Sequence, residues 1–190
     1  LMRPLVDAEI VPPALATSAR SLTGYSGGGK KRIEQYEAGG DPKLASPRPY
    51  ALGLAPKHIP EMMAHTGLTT KPLFVPVVGA FYKGLSVTVP LHLAQLGAGA
   101  SAERIHAAFA EHYAGERFVR VMPLNDAATL EHGFFDVQGC NDTNRVDLFV
   151  FANGEQVLLM ARLDNLGKGA SGAAVQSMNV HLGVDEGLGL

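Results

Sequence analysis

The feature that most constrains the fold is an Asn-Gly pair, Asn153-Gly154, between two β-rich runs. The run before it reads RVDLFVF and the run after it reads QVLLMARL. Asn and Gly both tolerate the positive φ angles of a type I′ turn, which is a tight connection between antiparallel strands. The pattern therefore predicts a β-hairpin, and any fold for this chain must contain antiparallel pairing.

A second strand is predicted upstream, in the run GLSVTVPLHL. Apolar residues occupy every other position from Leu85 to Leu93, and Ser, Thr, Pro and His stand between them. A period of two indicates a strand that covers a core with one face only. Pro90 has no backbone N–H to give to a neighbouring strand, so it indicates a sheet edge or a bulge.

Three helices are predicted. Ser101 can cap a helix in which the apolar positions from Ile105 to Phe109 recur at helical spacing before Gly115 ends it. The runs KRIEQYEA and Ala170–His181 also have helical character. Since the strands do not alternate regularly with helices, the expected fold class is α+β, a mostly antiparallel mixed sheet with helices on one face.

Composition narrows the class of protein. A chain of 190 residues with 46% hydrophobic content predicts one globular domain with a substantial core. The net charge of −2 offers no basic surface for nucleic acid. One cysteine cannot form an internal disulfide, and no apolar run reaches the roughly 18 residues of a membrane helix. A reducing cytoplasm is the expected location.

A glycine-rich stretch, TGYSGGGKK, matches most of the phosphate-loop pattern of nucleotide-binding proteins through Gly24, Gly29 and Lys30. The last position of that pattern must be Ser or Thr, whose hydroxyl binds Mg²⁺, and here it is Lys31. The pattern also needs a buried hydrophobic strand before the loop, whereas ALATSARSL alternates weakly and carries Arg20. A phosphate loop is not supported, and the glycines need another explanation.

His58 and Glu61 are three residues apart in the run KHIPEM, where a short helix can begin. On a helix this spacing places both side chains on one face, which suits an imidazole acid/base held by a carboxylate. The alternative is the solvated start of a helix with a Glu in its first turn. The other six histidines have no i, i+4 partner, so no metal site is expected.

Two further segments allow a structural and a chemical interpretation. Cys140 could be a nucleophile, but only Arg145 lies nearby to lower its pKa, and an inert loop thiol is the favoured interpretation. The glycine-spaced run Asp164–Gly172 leads into a helix. Its backbone amides could bind an anion or an amide, or its glycines could simply allow tight packing.

Five segments, taken together and in order, resemble one family over nearly the whole chain. They are TGYSGGGK, KHIPEM, FYKGLSVTVPLHL, TNRVDLFVF and DNLGKGASGAAVQSMN. The family is N-acetyl-gamma-glutamyl-phosphate reductase in its shorter bacterial form, which carries a Ser-Gly-x-Ser-Gly-x-Gly loop beside its active site. The resemblance implies NADPH-dependent reduction of an acyl phosphate to a semialdehyde in arginine biosynthesis, through a cysteine thioester and a histidine acid/base.

The resemblance also implies site residues. His58 would be the catalytic acid/base, and Asn165 would face the nicotinamide of NADP. The residues implied at the substrate are Ser26, Gly27, Lys57, Glu61 and Lys83. Two positions depart from the family pattern: Pro56 stands where the first His of His-Lys-His-x-Pro-Glu is usual, and Thr23 replaces the first Ser of the glycine loop.

By the same resemblance, residues 1–190 correspond to a C-terminal substrate-binding and dimerisation domain like that of glyceraldehyde-3-phosphate dehydrogenase. The run LMRPLVDAE resembles the helix just after the family's catalytic cysteine, so the cysteine segment and the dinucleotide-binding half would be absent. Such a chain is expected to be inactive alone, to form homo-oligomers through its sheet, and to pack residues 165–185 on the nucleotide domain. The alternative is a non-catalytic binding or assembly module. Neither nucleic acid nor a membrane is an expected partner.

Overall fold

The computed structural model describes residues 1–190, with five α-helices and nine strands. The helices are α1 (Arg3–Asp7), α2 (Lys30–Glu37), α3 (Ile59–Thr66), α4 (Ala102–His112) and α5 (Gly172–Leu182). The strands are β1 (Ser18–Thr23), β2 (Arg48–Pro49), β3 (Leu73–Val78), β4 (Leu85–His92), β5 (Val119–Val121), β6 (Leu130–Glu131), β7 (Phe134–Phe135), β8 (Val146–Asn153) and β9 (Gln156–Leu163).

Seven strands form one mixed sheet in the order β2-β3-β1-β4-β9-β8-β5, and β6 pairs with β7 separately. Within the large sheet, β1 runs parallel to β3 and β5 parallel to β8, while the other neighbouring pairs are antiparallel. The predicted α+β class with a mostly antiparallel sheet is confirmed.

The hairpin between β8 and β9 is confirmed, but its predicted turn type is wrong. Asn153 pairs with Gln156, so the two-residue loop is Gly154-Glu155, one residue later than expected. Only Gly154 has a positive φ, of 57°, and Asn153 remains in the strand. A glycine at the first loop position is the requirement of a type II′ turn, which also matches the twist of the flanking strands.

One face of the sheet carries the core. Ile105 and Phe109 of α4 are fully buried, as their helical spacing predicts, and they pack with Leu5 of α1 against strand residues such as Val150 and Leu159. Burial of each such side chain stabilises the fold by roughly 1.5–3 kcal/mol. The side chain of Ser101 caps α4 by accepting a hydrogen bond from the Arg104 N–H at 3.2 Å.

The opposite face of the sheet is left open over its central strands. Thr88, Leu158 and Met160 alternate with the buried core positions and remain half-buried. We call this surface the open face. None of the five helices is both long and apolar enough to cross a bilayer.

Pro90 lies in the interior of the sheet, yet its local environment is that of an edge. The ladder between β1 and β4 ends at the pair Arg20 and Thr88, whereas Pro90 pairs with Leu158 of β9. Beyond Thr88, therefore, β4 has a neighbour on one side only. The missing N–H of Pro90 is tolerated because β1 forms no ladder pair with it.

The strand before the glycine loop was not predicted. The sequence shows no buried hydrophobic run there, but β1 leads directly into the loop and lies between β3 and β4. Its residues Ser18, Arg20, Ser21 and Thr23 are polar, so β1 is held by backbone ladders on both sides more than by its side chains.

Candidate functional site

A cleft of about 520 Å³ opens on the helix-bearing face of the sheet, at the end where β1 runs into the glycine loop. The strands β1, β3 and β4 supply its floor, with Ser21, Thr23, Phe74, Val78, Leu85 and Val87. The glycine loop and α2 form one wall, and the segment before α3 forms the other. These walls contribute Gly24, Gly27, Gly28, Arg32, Tyr50, Lys57 and His58, and Asn165 completes the lining.

The glycine loop is bound tightly to the connection between β3 and β4. The backbone N–H groups of Gly24, Tyr25 and Ser26 donate to carbonyls of that connection at 2.9–3.1 Å. A Cβ at Gly24 would lie 2.4 Å from the Tyr82 carbonyl oxygen, closer than any side chain can approach. This contact therefore requires a glycine at position 24. Close packing of the backbone, and not a phosphate loop, explains this glycine.

Asn165 fixes the loop from the other side. Its Nδ2 donates to Ser26 Oγ at 3.0 Å, and its Oδ1 accepts from the Gly84 N–H at 2.7 Å. Ser26 is buried and its hydroxyl faces Asn165, whereas the neighbouring Gly27 lines the cleft. The resemblance implies that both Ser26 and Gly27 contact the substrate. In the structure Gly27 lines the cleft, whereas Ser26 is buried behind the cleft wall.

His58 and Glu61 share one face of the α3 start, as predicted from their spacing. The distance from His58 Nδ1 to Glu61 Oε2 is 3.4 Å, and the two side chains are 51% and 71% exposed. Within the chain His58 Nε2 has no partner. Lys57 and His58 line the cleft, while Glu61 does not line it and contacts His58 from outside. The arrangement leaves the imidazole accessible to a ligand in the cleft.

Lys83 lies outside the cleft, in a separate polar cluster. Its ammonium group forms a hydrogen bond with Asp142 and lies 3.7 Å from an Asp164 carboxylate oxygen. The hydrogen bond to Asp142 raises the pKa of Lys83. The structure does not bring Lys83 together with His58 and Lys57.

The glycine-spaced run after β9 uses its free amides internally. The N–H groups of Leu166 and Gly167 donate to Asp164 Oδ1 at 2.8 and 3.1 Å, and the Asp142 N–H donates to Asp164 Oδ2 at 2.9 Å. Burial raises the pKa of Asp164, but these backbone hydrogen bonds outweigh it and hold the pKa below its usual range. This favours the structural interpretation of the run, because the buried carboxylate already occupies the position of an anion.

Cys140 has the environment of an inert thiol. The residue is fully buried, with its Sγ 3.7 Å from Arg145 Nη2, and it lines no part of the cleft. Burial raises the pKa of the Cys140 thiol, and the nearby Asp147 carboxylate raises it further. A nucleophilic cysteine needs an accessible thiolate, so the geometry supports the prediction that Cys140 is not the nucleophile.

Arg32 and Tyr50 are among the cleft residues that were not predicted. Arg32 lies in the first turn of α2, a predicted helix, but only the packing of its side chain over Gly28 directs it into the cleft. Tyr50 follows β2, a strand of two residues that carries no periodic pattern. No group of three or more His, Cys, Asp or Glu side chains is arranged to hold a metal ion.

Comparison with known proteins identifies the family of the chain. The family model described as semialdehyde dehydrogenase, dimerisation domain, matches residues 1–165. The chain belongs to this family. Among curated relatives of this dimerisation-domain protein, N-acetyl-gamma-glutamyl-phosphate reductase of Burkholderia cenocepacia (strain HI2424) is 48% identical over 186 residues, covering 96% of this chain and 59% of the relative.

A second relative, N-acetyl-gamma-glutamyl-phosphate reductase 2 of Nostoc sp. (strain PCC 7120), is 44% identical over 197 residues, covering 100% of this chain and 61% of the relative. The resemblance drawn from the five sequence segments is thereby confirmed. The chain spans about three fifths of the length of these relatives.

Solved structures support the fold. Aspartate semialdehyde dehydrogenase II from Vibrio cholerae superposes with a TM-score of 0.67 at 18% identity, covering 95% of this chain and 58% of that one. Aspartate semialdehyde dehydrogenase from Francisella tularensis superposes with a TM-score of 0.68 at 12% identity, covering 95% and 60%. At this level of identity the likeness concerns the fold alone.

Proposed function

We propose that this chain is the substrate-binding and dimerisation part of an NADPH-dependent reductase that converts N-acetyl-γ-glutamyl phosphate to N-acetylglutamate semialdehyde in arginine biosynthesis. The observation that carries the proposal is one cleft that combines His58, Lys57 and the glycine loop, in a chain 48% identical to such a reductase. The nucleophilic cysteine and the dinucleotide-binding half are assigned to a part of the protein outside residues 1–190.

The chemistry of the proposed reaction divides into acyl transfer and reduction. A thiolate attacks the acyl carbon, the bond to phosphate breaks, and a thioester forms; hydride addition to that carbon then releases the aldehyde and regenerates the thiolate. His58 lines the cleft and its Nε2 has no hydrogen-bond partner in the chain, so the imidazole can move a proton to or from the reacting sulfur or oxygen. Glu61 orients the ring through Nδ1, and the Lys57 cation attracts the phosphate.

The residues present fit the nicotinamide end of NADPH, which supplies the hydride when bound. Gly27 has no side chain, and Gly27 and Asn165 line the same end of the cleft, so a flat ring bound there would contact the loop backbone and the Asn165 side chain. Gly27 and Asn165 are the residues that would meet the ring. The helix α5 that follows Asn165 exposes Met178, Val180 and Leu182 at 53–63%, which supports its proposed packing on the nucleotide domain.

The open face of the sheet is proposed as the homo-oligomer interface. The support is the dimerisation-domain family itself and the half-buried apolar side chains of β9, such as Leu158 and Met160. A reducing cytoplasm and the absence of nucleic-acid and membrane partners belong to the same proposal.

The test is an assay of the reverse reaction. A full-length protein that contains this domain should reduce NADP⁺ with N-acetylglutamate semialdehyde only when phosphate is added, and the 190-residue chain alone should be inactive at every pH. Absence of phosphate-dependent activity, or a preference for aspartate semialdehyde, would overturn the proposal.

A non-catalytic assembly module is the second candidate, because the one thiol of the chain is buried. If the chain is an assembly module, the full-length protein that contains it should form a stable oligomer and should show no reductase activity.

A further inference from the structure

Arg32 is a half-buried arginine whose guanidinium has no acceptor in the chain. Arg3, Arg117 and Arg162, for example, form ion pairs with carboxylates, and Arg104 donates to backbone carbonyls. Arg20 and Arg48 are also without partners, but both are exposed. Arg32 alone among the unpaired arginines lines the cleft. A cation withdrawn from solvent without a counter-charge indicates that a ligand provides one.

The stem of Arg32 is held in place by the glycine loop. Arg32 lies in the first turn of α2, and its side chain leans back over Gly28, as helical side chains do toward the helix start. A Cβ at Gly28 would lie 2.6 Å from Arg32 Cδ and 2.7 Å from Nε. Gly28 therefore leaves room for the arginine stem, and any side chain there would displace it from the cleft wall.

The charges of the cleft are one-sided. Its lining contains Arg32, Lys57 and His58, and it contains no Asp or Glu. This contrasts with the whole chain, which carries a net charge of −2. Because the cleft lacks carboxylates, the two permanent cations are available to an anion.

We propose that Arg32 is a substrate-binding residue that recognises an oxyanion group, phosphate or carboxylate, of a ligand in the cleft. A guanidinium presents two parallel N–H groups to two oxygens of such a group, a geometry that the point charge of Lys57 cannot offer. The inference rests on the proposed function for the identity of the substrate, which carries both a phosphate and a carboxylate.

The first test is binding of inorganic phosphate and of N-acetyl-L-glutamate to the 190-residue chain, by calorimetric or NMR titration. Arg32→Met should weaken one or both ligands by about 10- to 100-fold, the loss typical of a charged hydrogen bond. The affinity of Arg32→Lys should fall between those of the wild-type chain and Arg32→Met. Gly28→Ala should weaken binding in the same way although the guanidinium remains. A loss for phosphate alone assigns Arg32 to the phosphate, and a loss for N-acetyl-L-glutamate alone assigns it to the carboxylate.

Arg20→Met is the matched control, since Arg20 is also unpaired but lies on the opposite face of the sheet. It should leave both affinities unchanged, and circular dichroism should show all variants folded. Unchanged binding in Arg32→Met, or an equal loss in Arg20→Met, would overturn the inference.

The second test separates this inference from the proposed function. In a full-length reductase that contains this domain, Arg32→Met should raise KM for the acyl phosphate by about 10-fold or more with a smaller change in kcat. Reductase activity with an unchanged KM in the variant would leave the proposed function intact and refute the role of Arg32. Arg32-dependent anion binding by a full-length protein without reductase activity would refute the proposed function and leave the anion site.

Discussion

Asn165 donates a hydrogen bond from Nδ2 to the buried Ser26 Oγ at 3.0 Å, across 139 residues of sequence. The same amide accepts from the Gly84 N–H, so one side chain joins the end of β9, the start of β4 and the glycine loop. Backbone and side-chain groups in a buried network are costly to leave without partners. The shape of the cleft therefore depends on a residue that no local pattern connects with it.

The Asn165–Ser26 contact can be measured by a double-mutant cycle. We expect the unfolding free energies of Asn165→Ala, Ser26→Ala and the double variant to give a coupling of roughly 0.5–3 kcal/mol, typical of residues in direct contact. A cycle between Asn165→Ala and Ser46→Ala, at an exposed loop position, should show coupling near zero. Additive effects in the first cycle would show that the contact does not stabilise the loop.

His58→Asn in a full-length reductase should lower kcat by about 10²–10⁴-fold, the usual effect of losing a positioned acid/base, with a smaller change in KM. His65→Asn is the control, since His65 is exposed on the same helix and does not line the cleft. A fully active His58→Asn enzyme would contradict the acid/base role of His58. The run KHIPEM would then be only the solvated start of a helix.

Asp147→Asn should destabilise the fold by about 3–5 kcal/mol, because it leaves buried arginine charge without its partner. Asp147 is fully buried and contacts Arg145 at 2.8 Å, Arg162 at 3.0 Å and Arg120 at 3.3 Å. The measurement is urea denaturation at neutral pH. Asp185→Asn, which breaks the exposed pair with Arg117, should cost less than about 1 kcal/mol.

The same carboxylate predicts the pH dependence of stability. Burial raises the pKa of Asp147, but hydrogen bonds from Arg162 and Arg145 outweigh burial and hold the pKa below its ordinary value. A group with a lowered pKa in the folded state stabilises the fold above its unfolded pKa, near 3.9, and this stabilisation is lost as the pH falls. Denaturation curves from about pH 5 downward, through the unfolded pKa, should show a steeper fall for the wild-type chain than for Asp147→Asn.

Gly24→Ala should destabilise the chain by about 1–3 kcal/mol, because the new Cβ would lie 2.4 Å from the Tyr82 carbonyl oxygen and 2.7 Å from the Lys83 nitrogen. Both neighbours are backbone atoms, so the glycine loop must shift. Gly53→Ala, where no heavy atom lies within 4 Å, should be neutral. Thermal unfolding of the two variants gives the comparison, and equal midpoints would contradict the close contact.

Met160→Glu should convert an oligomer of this chain to a monomer, because it places a charge in the middle of the open face. Light scattering coupled to size-exclusion chromatography measures the mass directly. Gln35→Glu adds the same charge on the exposed surface of α2 and should leave the mass unchanged. A stable oligomer of Met160→Glu would assign the interface to another surface.

The elements that could be predicted from the sequence are those with a local cause. The hairpin of β8 and β9 and the helix α4 follow from a turn residue, a capping serine and a clear hydrophobic period. By contrast, β1 is held by pairing with β3 and β4, which are far from it in sequence, so its own polar side chains carry a weak signal. The exact turn of the hairpin was missed by one residue, because Gly154 can equally occupy the first loop position of a type II′ turn.

The candidate site shows the same division. His58 and Glu61 were paired correctly, since a spacing of three fixes their relation on a helix. The position of Lys83 could not be predicted, because its partner Asp142 is 59 residues away. Arg32 was missed because a lysine- and arginine-rich helix start usually faces solvent, and only the packing over Gly28 turns this side chain into the cleft.

The adjacency of the parallel strands β1 and β3 has a consequence for how such domains diversify. The chain leaves β1 at Thr23 and enters the neighbouring strand β3 at Leu73. The excursion between them adds only the two-residue edge strand β2 to the sheet, and it carries the glycine loop, Arg32, Lys57 and His58. Both ends of the excursion are fixed by neighbouring backbone ladders. Its length and composition can therefore change over evolution without shifting the register between β1 and β3. The residues that contact a ligand can then be replaced together while the sheet stays the same.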